Sequence, residues 1–356
     1  MKRKILLFAG LIIIVLSAFI LHLLNGTGFF RHIDKRVNGE LVAELNLKGP
    51  EDFAISYVDS FLLISSTERK KYPPEEEESG SIFILNLKSQ DQFSVLNLTT
   101  GLAFPFAPHG ISMLKKDSTY LVKVINHTEI GHSIEIFELF NRDSLAHIRS
   151  LEDRSMIAPN DLIQVDTSRF YFTNDRIHEK GFGLFMEEFL GIGYSSVIYF
   201  DGETYHEVAG GLSFANGINL DRNRNLLYVG ASRGFKVHVF ATQKDGQLKK
   251  LKEIQCKMGV DNINIDNNGN LWVAGHPNLL IYQEYAQRKR KTSPSEIVKI
   301  NQDNNNEFHK QSIYLEDGTL ISGSTVACSF GAFTIIGSAL DDKLVILTNL
   351  EKVEVE

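Results

Sequence analysis

The chain has 356 residues and a mass of 40.1 kDa, and its 43% hydrophobic, 23% charged composition excludes a wholly disordered or collagen-like protein. Lys and Arg number 37 against 44 Asp and Glu, for a net charge of −7 and a pI near 5.9, so no nucleic-acid partner is expected. Two cysteines, Cys256 and Cys328, allow one disulfide at most and exclude a cysteine-stapled scaffold or a cysteine-rich zinc site.

Lys2, Arg3 and Lys4 precede Ile5–Leu24, a stretch of twenty residues without formal charge. At about 1.5 Å per residue this spans roughly 30 Å, the thickness of a hydrocarbon core. No convincing small-x-small exit follows Leu24, so the segment reads as an uncleaved signal anchor, with a cleaved leader as the alternative. The basic cluster favours a single-pass chain with a cytosolic N-terminus and the remainder on the extracellular, lumenal or periplasmic side. The expected organisation is a basic tail over 1–4, a transmembrane anchor over 5–24, a stalk and closing strand over 25–44, and one domain over 45–356. Asn25, Asn97 and Asn126 open glycosylation sequons.

From residue 45 onward, short apolar runs alternate with polar residues and are separated by turn signals such as Asp-Gly and Asn-Gly, the pattern of many antiparallel strands. One unit recurs: a polar residue, an apolar strand, a tight turn, a second apolar strand and a small or polar end. Its copies start at Asp52, His109, Asn160, Asn216, Asp261 and Ser324, with separations of 57, 51, 56, 45 and 63 residues. Each interval fits one four-stranded blade, and six copies predict an all-β, six-bladed β-propeller behind the N-terminal helix.

In a propeller the innermost strand of each blade lines a central tunnel, so the six starts converge on one axis. They bring Glu51, Asn160, Asn216, Asp261 and Asn262 together, a set of carboxylate and amide oxygens suited to calcium. Glu51, Asp52, Asp161 and Asp261 would repel one another at one tunnel end without a cation. Capping of β-turns is the other common task of Asp and Asn. His109 and His127 fall at the two ends of one hairpin, placed to activate and orient a water. His276 has the same phase in a later blade and is expected to touch substrate, while Asp175 either assists this group or caps a turn. Phe182, Phe185, Met186 and Phe189 recur at helical spacing, to shape the mouth, touch a bilayer or pack in the core.

Nine ordered motifs resemble the serum paraoxonase/arylesterase family: Gly49-Pro50-Glu51-Asp52, Pro108-His109-Gly110-Ile111, Val124-Ile125-Asn126-His127, Pro159-Asn160-Asp161, Thr173-Asn174-Asp175, Phe214-Ala215-Asn216-Gly217, Val260-Asp261-Asn262, Leu271-Trp272-Val273 with Gly275-His276-Pro277, and Gly323-Ser324-Thr325. The resemblance implies two calcium ions in the tunnel. A catalytic ion would be held by Glu51, Asn160, Asn216, Asp261 and Asn262. A structural ion would be held by Asp52, Asp161 and the backbone carbonyl of Ile111. His109 and His127 match the family's histidine dyad, and Tyr72 matches a substrate-binding tyrosine on a loop over the site. That loop here carries an acidic insert, Glu75–Glu78.

The chain also departs from the family. No cysteine lies near Glu40 or within Leu344–Thr348, where vertebrate members place a closing disulfide, so closure is expected to rest on strand pairing unless Cys256 and Cys328 serve a new role. Gly275 stands at the family's free cysteine and Arg176 at a usual histidine. The expected activity is calcium-dependent hydrolysis of lipophilic carboxylic esters and lactones by a histidine-activated water. No Gly-x-Ser-x-Gly elbow supports a serine hydrolase. A non-enzymatic membrane chaperone or interaction platform on the same propeller is the alternative. Oligomeric state is left open.

Overall fold

The computed structural model describes residues 2–37, 39–69, 80–88 and 93–348. Helix α1 (Lys2–Gly26) is exposed and is long and apolar enough to cross a membrane. Two short strands follow, β1 (Arg36–Val37) and β2 (Leu41–Asn46).

The remaining described strands form six blades in chain order. The first is β3 (Pro50–Ser56), β4 (Phe61–Ser66), β5 (Ser81–Asn86) and β6 (Val95–Asn97). The second is β7 (Pro108–Lys116), β8 (Thr119–Thr128), β9 (Gly131–Phe140) and β10 (Ser144–Leu151). The third is β11 (Pro159–Gln164), β12 (Phe170–Asn174), β13 (Ser195–Phe200) and β14 (Tyr205–Leu212), with α2 (Gly181–Glu188) inserted after β12. The fourth is β15 (Ala215–Asp221), β16 (Leu226–Ala231), β17 (Lys236–Thr242) and β18 (Leu248–Gln255). The fifth is β19 (Gly259–Ile265), β20 (Leu271–His276), β21 (Ser295–Gln302) and β22 (Phe308–Glu316), with α3 (Leu279–Ala286) inserted after β20 and β1 on its outer edge. The sixth is β23 (Val326–Phe330), β24 (Phe333–Gly337) and β25 (Lys343–Thr348), completed by β2. The protein is a six-bladed β-propeller.

Six hydrophobic clusters hold the blades together, one at each blade-to-blade seam. Second strands such as β4 and β20 are therefore covered on both faces and buried throughout, and they read as continuous apolar runs rather than alternating ones. Closure pairs the chain's beginning with its end. Leu41 sits opposite Leu347 and Asn46 opposite Lys343, while Thr348 N donates to Glu40 O at 2.9 Å. Cys256 and Cys328 are free, buried thiols in two different seams, so no disulfide joins them.

The inner strands share one irregularity. Register shifts fall between Pro50 and Asp52, Pro108 and Ile111, Pro159 and Leu162, Ala215 and Ile218, and Val260 and Ile263. In a regular strand successive side chains point to opposite faces. A bulge breaks that alternation and re-aims a residue, here at the same end of five blades. Two glycines let neighbouring bulges nest. A Cβ on Gly110 would lie 2.5 Å from Asp161 Cα, and one on Gly217 would lie 2.5 Å from Asn262 Cα.

Gly217→Ala is therefore expected to force two inner strands apart and cost about 1–3 kcal/mol, as overpacking does. A thermal unfolding midpoint several degrees below wild type would show it; an unchanged midpoint would contradict the nested packing.

Candidate active site

The bulges deliver Glu51, Asn160, Asn216 and Asp261 to the walls of one cavity of about 330 Å³ at the tunnel mouth, with Asn262 bonded directly to Glu51. The four lining residues and Asn262 are buried. The three asparagines spend their amide N–H groups on fixed partners. Asn160 Nδ2 donates to Asp175 Oδ2 at 3.5 Å, Asn216 Nδ2 to Ser232 Oγ at 3.1 Å, and Asn262 Nδ2 to Glu51 O at 3.1 Å and Oε1 at 3.0 Å. Their oxygens are left over. Glu51 Oε2, Asn160 Oδ1, Asn216 Oδ1 and Asn262 Oδ1 are buried without a hydrogen-bond partner. A buried acceptor with no donor costs about 1–3 kcal/mol, so four at one place ask for a shared positive partner.

Asp261 has a dedicated support. Its Oδ2 accepts from His276 Nε2 at 2.8 Å, and His276 stacks on Tyr282 of α3 at 3.6 Å. Burial raises the pKa values of both Glu51 and Asp261 above the usual carboxylate range. No cluster of three or more His, Cys, Asp or Glu side chains assembles in metal-holding geometry among the described residues. The set here is instead three amides and two carboxylates, a composition of hard oxygen donors.

Asp52 and Asp161 lie together deeper in the tunnel. Asp52 Oδ2 accepts from Ile111 N at 2.9 Å, so Ile111 meets Asp52 through its amide. Asp161 accepts from Leu162 N at 2.6 Å and Ile218 N at 2.7 Å. Burial, then the facing Asp161 and Glu51, push Asp52 well up, and burial pushes Asp161 up to about 8.

The histidines form a chain of three. His109 lines the cavity, and its Nδ1 donates to Asn160 O at 2.8 Å. A carbonyl can only accept, so Nε2 is the nitrogen left with a lone pair. Burial, then the nearby Arg69, push His109 down to about 3, keeping it neutral. His127 meets His109 edge to face, with centroids 5.0 Å apart, and its Nδ1 is bonded to His132 Nδ1 at 2.8 Å. Burial, then His109 and His132, push His127 well down.

His132 and Arg69 were not singled out from the sequence. His132 was readable in principle, because the short Thr128–Gly131 turn sets it opposite His127 in register. Arg69 carried no such signal. Its buried guanidinium donates to Pro108 O at 2.6 Å and lies within electrostatic reach of Glu51.

Of the expected substrate residues, His276 and Asp175 reach the cavity, and burial raises Asp175 to about 6. Tyr72 lies outside the described residues. Apolar walls come from Phe189 beside α2, Phe214, and Leu279 and Leu280 of α3, while Thr27 at the foot of α1 touches the rim. Phe182, Phe185 and Phe189 stack in series, with Phe182 75% exposed. Among the sequons, Asn25 is exposed and Asn97 half-buried. Asn126 departs from its expected role: it is buried and donates to Pro105 O at 3.2 Å, which leaves no room for a glycan.

Fold and site together define a six-bladed propeller with an acceptor-lined cavity at its tunnel mouth. The family model described as Arylesterase matches residues 62–346, and the chain belongs to that family of ester hydrolases. It is 30% identical over 271 residues to serum paraoxonase/arylesterase 2 of Rattus norvegicus, covering 74% of this chain and 75% of that one. It is 30% identical over 272 residues to serum paraoxonase/arylesterase 1 of Homo sapiens, covering 74% and 76%. The fold recurs in a luciferin-regenerating enzyme (TM-score 0.56, 14% identity, covering 88% of this chain and 95% of that one). It recurs also in a gluconolactonase from Xanthomonas campestris (TM-score 0.53, 14% identity, covering 89% and 93%).

Asp161 holds a proton in the folded state up to about pH 8, whereas an unfolded aspartate releases it near 4. Its contribution to stability is thus present at low pH and lost as pH rises through 8. In chelator, the thermal midpoint should fall between pH 7 and 9, above the range in which unfolded His109 and His127 titrate and act in the opposite sense, and calcium should restore it most at the alkaline end. A chelated midpoint that rises with pH over that window would contradict the buried, cation-free carboxylates.

Proposed function

We propose that the chain is a calcium-dependent hydrolase of lipophilic carboxylic esters and lactones. The observation that carries this reading is the set of four buried oxygens without a hydrogen-bond partner on Glu51, Asn160, Asn216 and Asn262, in a family of ester hydrolases; among the described residues Glu51 Oε2 has only His109 Nδ1 near it, at 3.5 Å. These residues with Asp261 would hold one calcium. Asp52 and Asp161 would hold a second, where it would offset two facing buried carboxylates. Bound at the upper site, calcium supplies Lewis-acid polarisation of an ester carbonyl and charge for the oxyanion.

The chain's own residues do the rest. Asn160, Asn216 and Asn262 keep their acceptor oxygens inward because their N–H groups are already tied. His276 fixes Asp261. His109 Nε2 takes a proton from the attacking water, and the Asn160 carbonyl holds the ring in the tautomer that permits it. His132 sets the ring of His127 through the Nδ1–Nδ1 bond, and His127 braces His109 edge-on. The apolar walls exclude water and favour lipophilic substrates. Helix α1 anchors the propeller with its mouth toward the bilayer, on the side opposite the basic N-terminus.

Purified full-length protein loaded with calcium should hydrolyse phenyl acetate and a long-chain lactone, lose both activities in chelator, and regain them on calcium add-back. His109→Gln should lower kcat about 10²–10⁴-fold, the usual share of a general base. Turnover of neither substrate would remove the hydrolase reading. An undiminished rate in His109→Gln would remove only the base assignment.

A further inference from the structure

A second cavity, of about 590 Å³, lies at the foot of α1 and is not used by the hydrolase site. Phe30, Arg31, Arg36, Lys257 and Ser312 contribute to its lining. Arg31 is committed: it donates to Lys257 O and pairs with the buried Glu296 at 2.6 Å. Arg36 and Lys257 are exposed and have no side-chain hydrogen bond or ion pair among the described residues. The rim has one carboxylate, Asp34, which is paired with His32 at 3.1 Å. Two free cations thus face a cavity on a chain whose overall charge is negative.

The position of the cavity is fixed by the way α1 ends. Thr27 Oγ1 donates to Leu23 O at 2.9 Å, and Thr27 O accepts from Leu279 N at 2.9 Å. Arg233 donates both to Gly26 O and to Phe189 O. The helix end is therefore bolted to loops of the third, fourth and fifth blades, and only four residues separate Gly26 from Arg31. With α1 in a bilayer, the cavity cannot lie away from the headgroup layer. Phe29 and Phe30, exposed and edge to face at 5.2 Å, sit where interfacial aromatics belong. On the same face, Arg288–Lys291 adds four successive exposed cations just after α3.

We propose that this cavity is a phospholipid headgroup site. Arg36 and Lys257 take the phosphate of an anionic phospholipid, and Phe29 and Phe30 lie at the start of its acyl chains. A zwitterionic choline headgroup presents the same phosphate beside a cation that Arg36 and Lys257 repel, so the site favours anionic lipid. The proposal rests on α1 lying in a membrane and is independent of the hydrolase reading.

The test uses the full chain in nonionic detergent micelles, titrated with dihexanoyl phosphatidylglycerol, dihexanoyl phosphatidylcholine or inorganic phosphate and read by native mass spectrometry. Phosphatidylglycerol should form a saturable one-to-one adduct. Arg36→Gln with Lys257→Gln should weaken it about 30-fold. Lys244→Gln with Lys249→Gln, which removes two exposed cations away from the cavity, should leave it unchanged. Equal affinity in wild type and the cavity variant would overturn the proposal. So would equal binding of phosphatidylcholine, or displacement of the lipid by inorganic phosphate at matched concentration, which would make this a free-phosphate site.

Discussion

The site depends on a backbone feature, the bulge repeated at one end of five inner strands. A regular strand would send Glu51 and Asp52, Asn160 and Asp161, or Asp261 and Asn262 to opposite faces. With the ladder broken between Pro50 and Asp52, Pro159 and Leu162, and Val260 and Ile263, both members of each pair serve the tunnel, the first two pairs at different depths and Asp261 with Asn262 beside Glu51. The upper members and Asn216 ring the cavity, and the lower members Asp52 and Asp161 meet beneath it. Gly110 and Gly217 are the cost of this arrangement, since no side chain fits where one bulge rests on the next.

That geometry creates an electrostatic problem that the proposed calcium would solve. Burying carboxylates and carbonyls without partners is unfavourable, and burial is the largest cause raising Glu51, Asp52, Asp161 and Asp261. Arg69 offsets a little of the negative charge near Glu51 but is itself destabilised by burial. Six blade seams provide the stability that carries such a site. The rigidity of those seams also keeps the amide oxygens pointed inward, which a loop-borne set would not do.

Much of this was legible in the sequence because the propeller repeats. The phase of Asp52, His109, Asn160, Asn216 and Asp261 marked the tunnel end of five inner strands within two residues. In the sixth blade the strand begins at Val326, two residues after Ser324, and the repeated phase weakens because no bulge is present there. Closure by β2 on β25 without a disulfide followed from the absence of a cysteine near Glu40 or Leu344. Helix α3 was missed, since its eight residues follow a strand with no composition change, and only the Asn278 cap announces it. Arg69 was missed because its role arises from a tertiary approach to Glu51 and Pro108 that no local pattern encodes. His132 was missed because a turn had to be placed before its register with His127 could be seen.

The central proposal is that the buried oxygens without a hydrogen-bond partner on the bulged strands constitute a calcium site. Isothermal titration of calcium into chelated full-length protein, compared with the near-isosteric Asn160→Leu, Asn216→Leu double variant, tests it most directly. The account predicts that wild type binds calcium and that the variant, still folded by circular dichroism, loses at least one binding event. Identical calcium isotherms for the two proteins would contradict it.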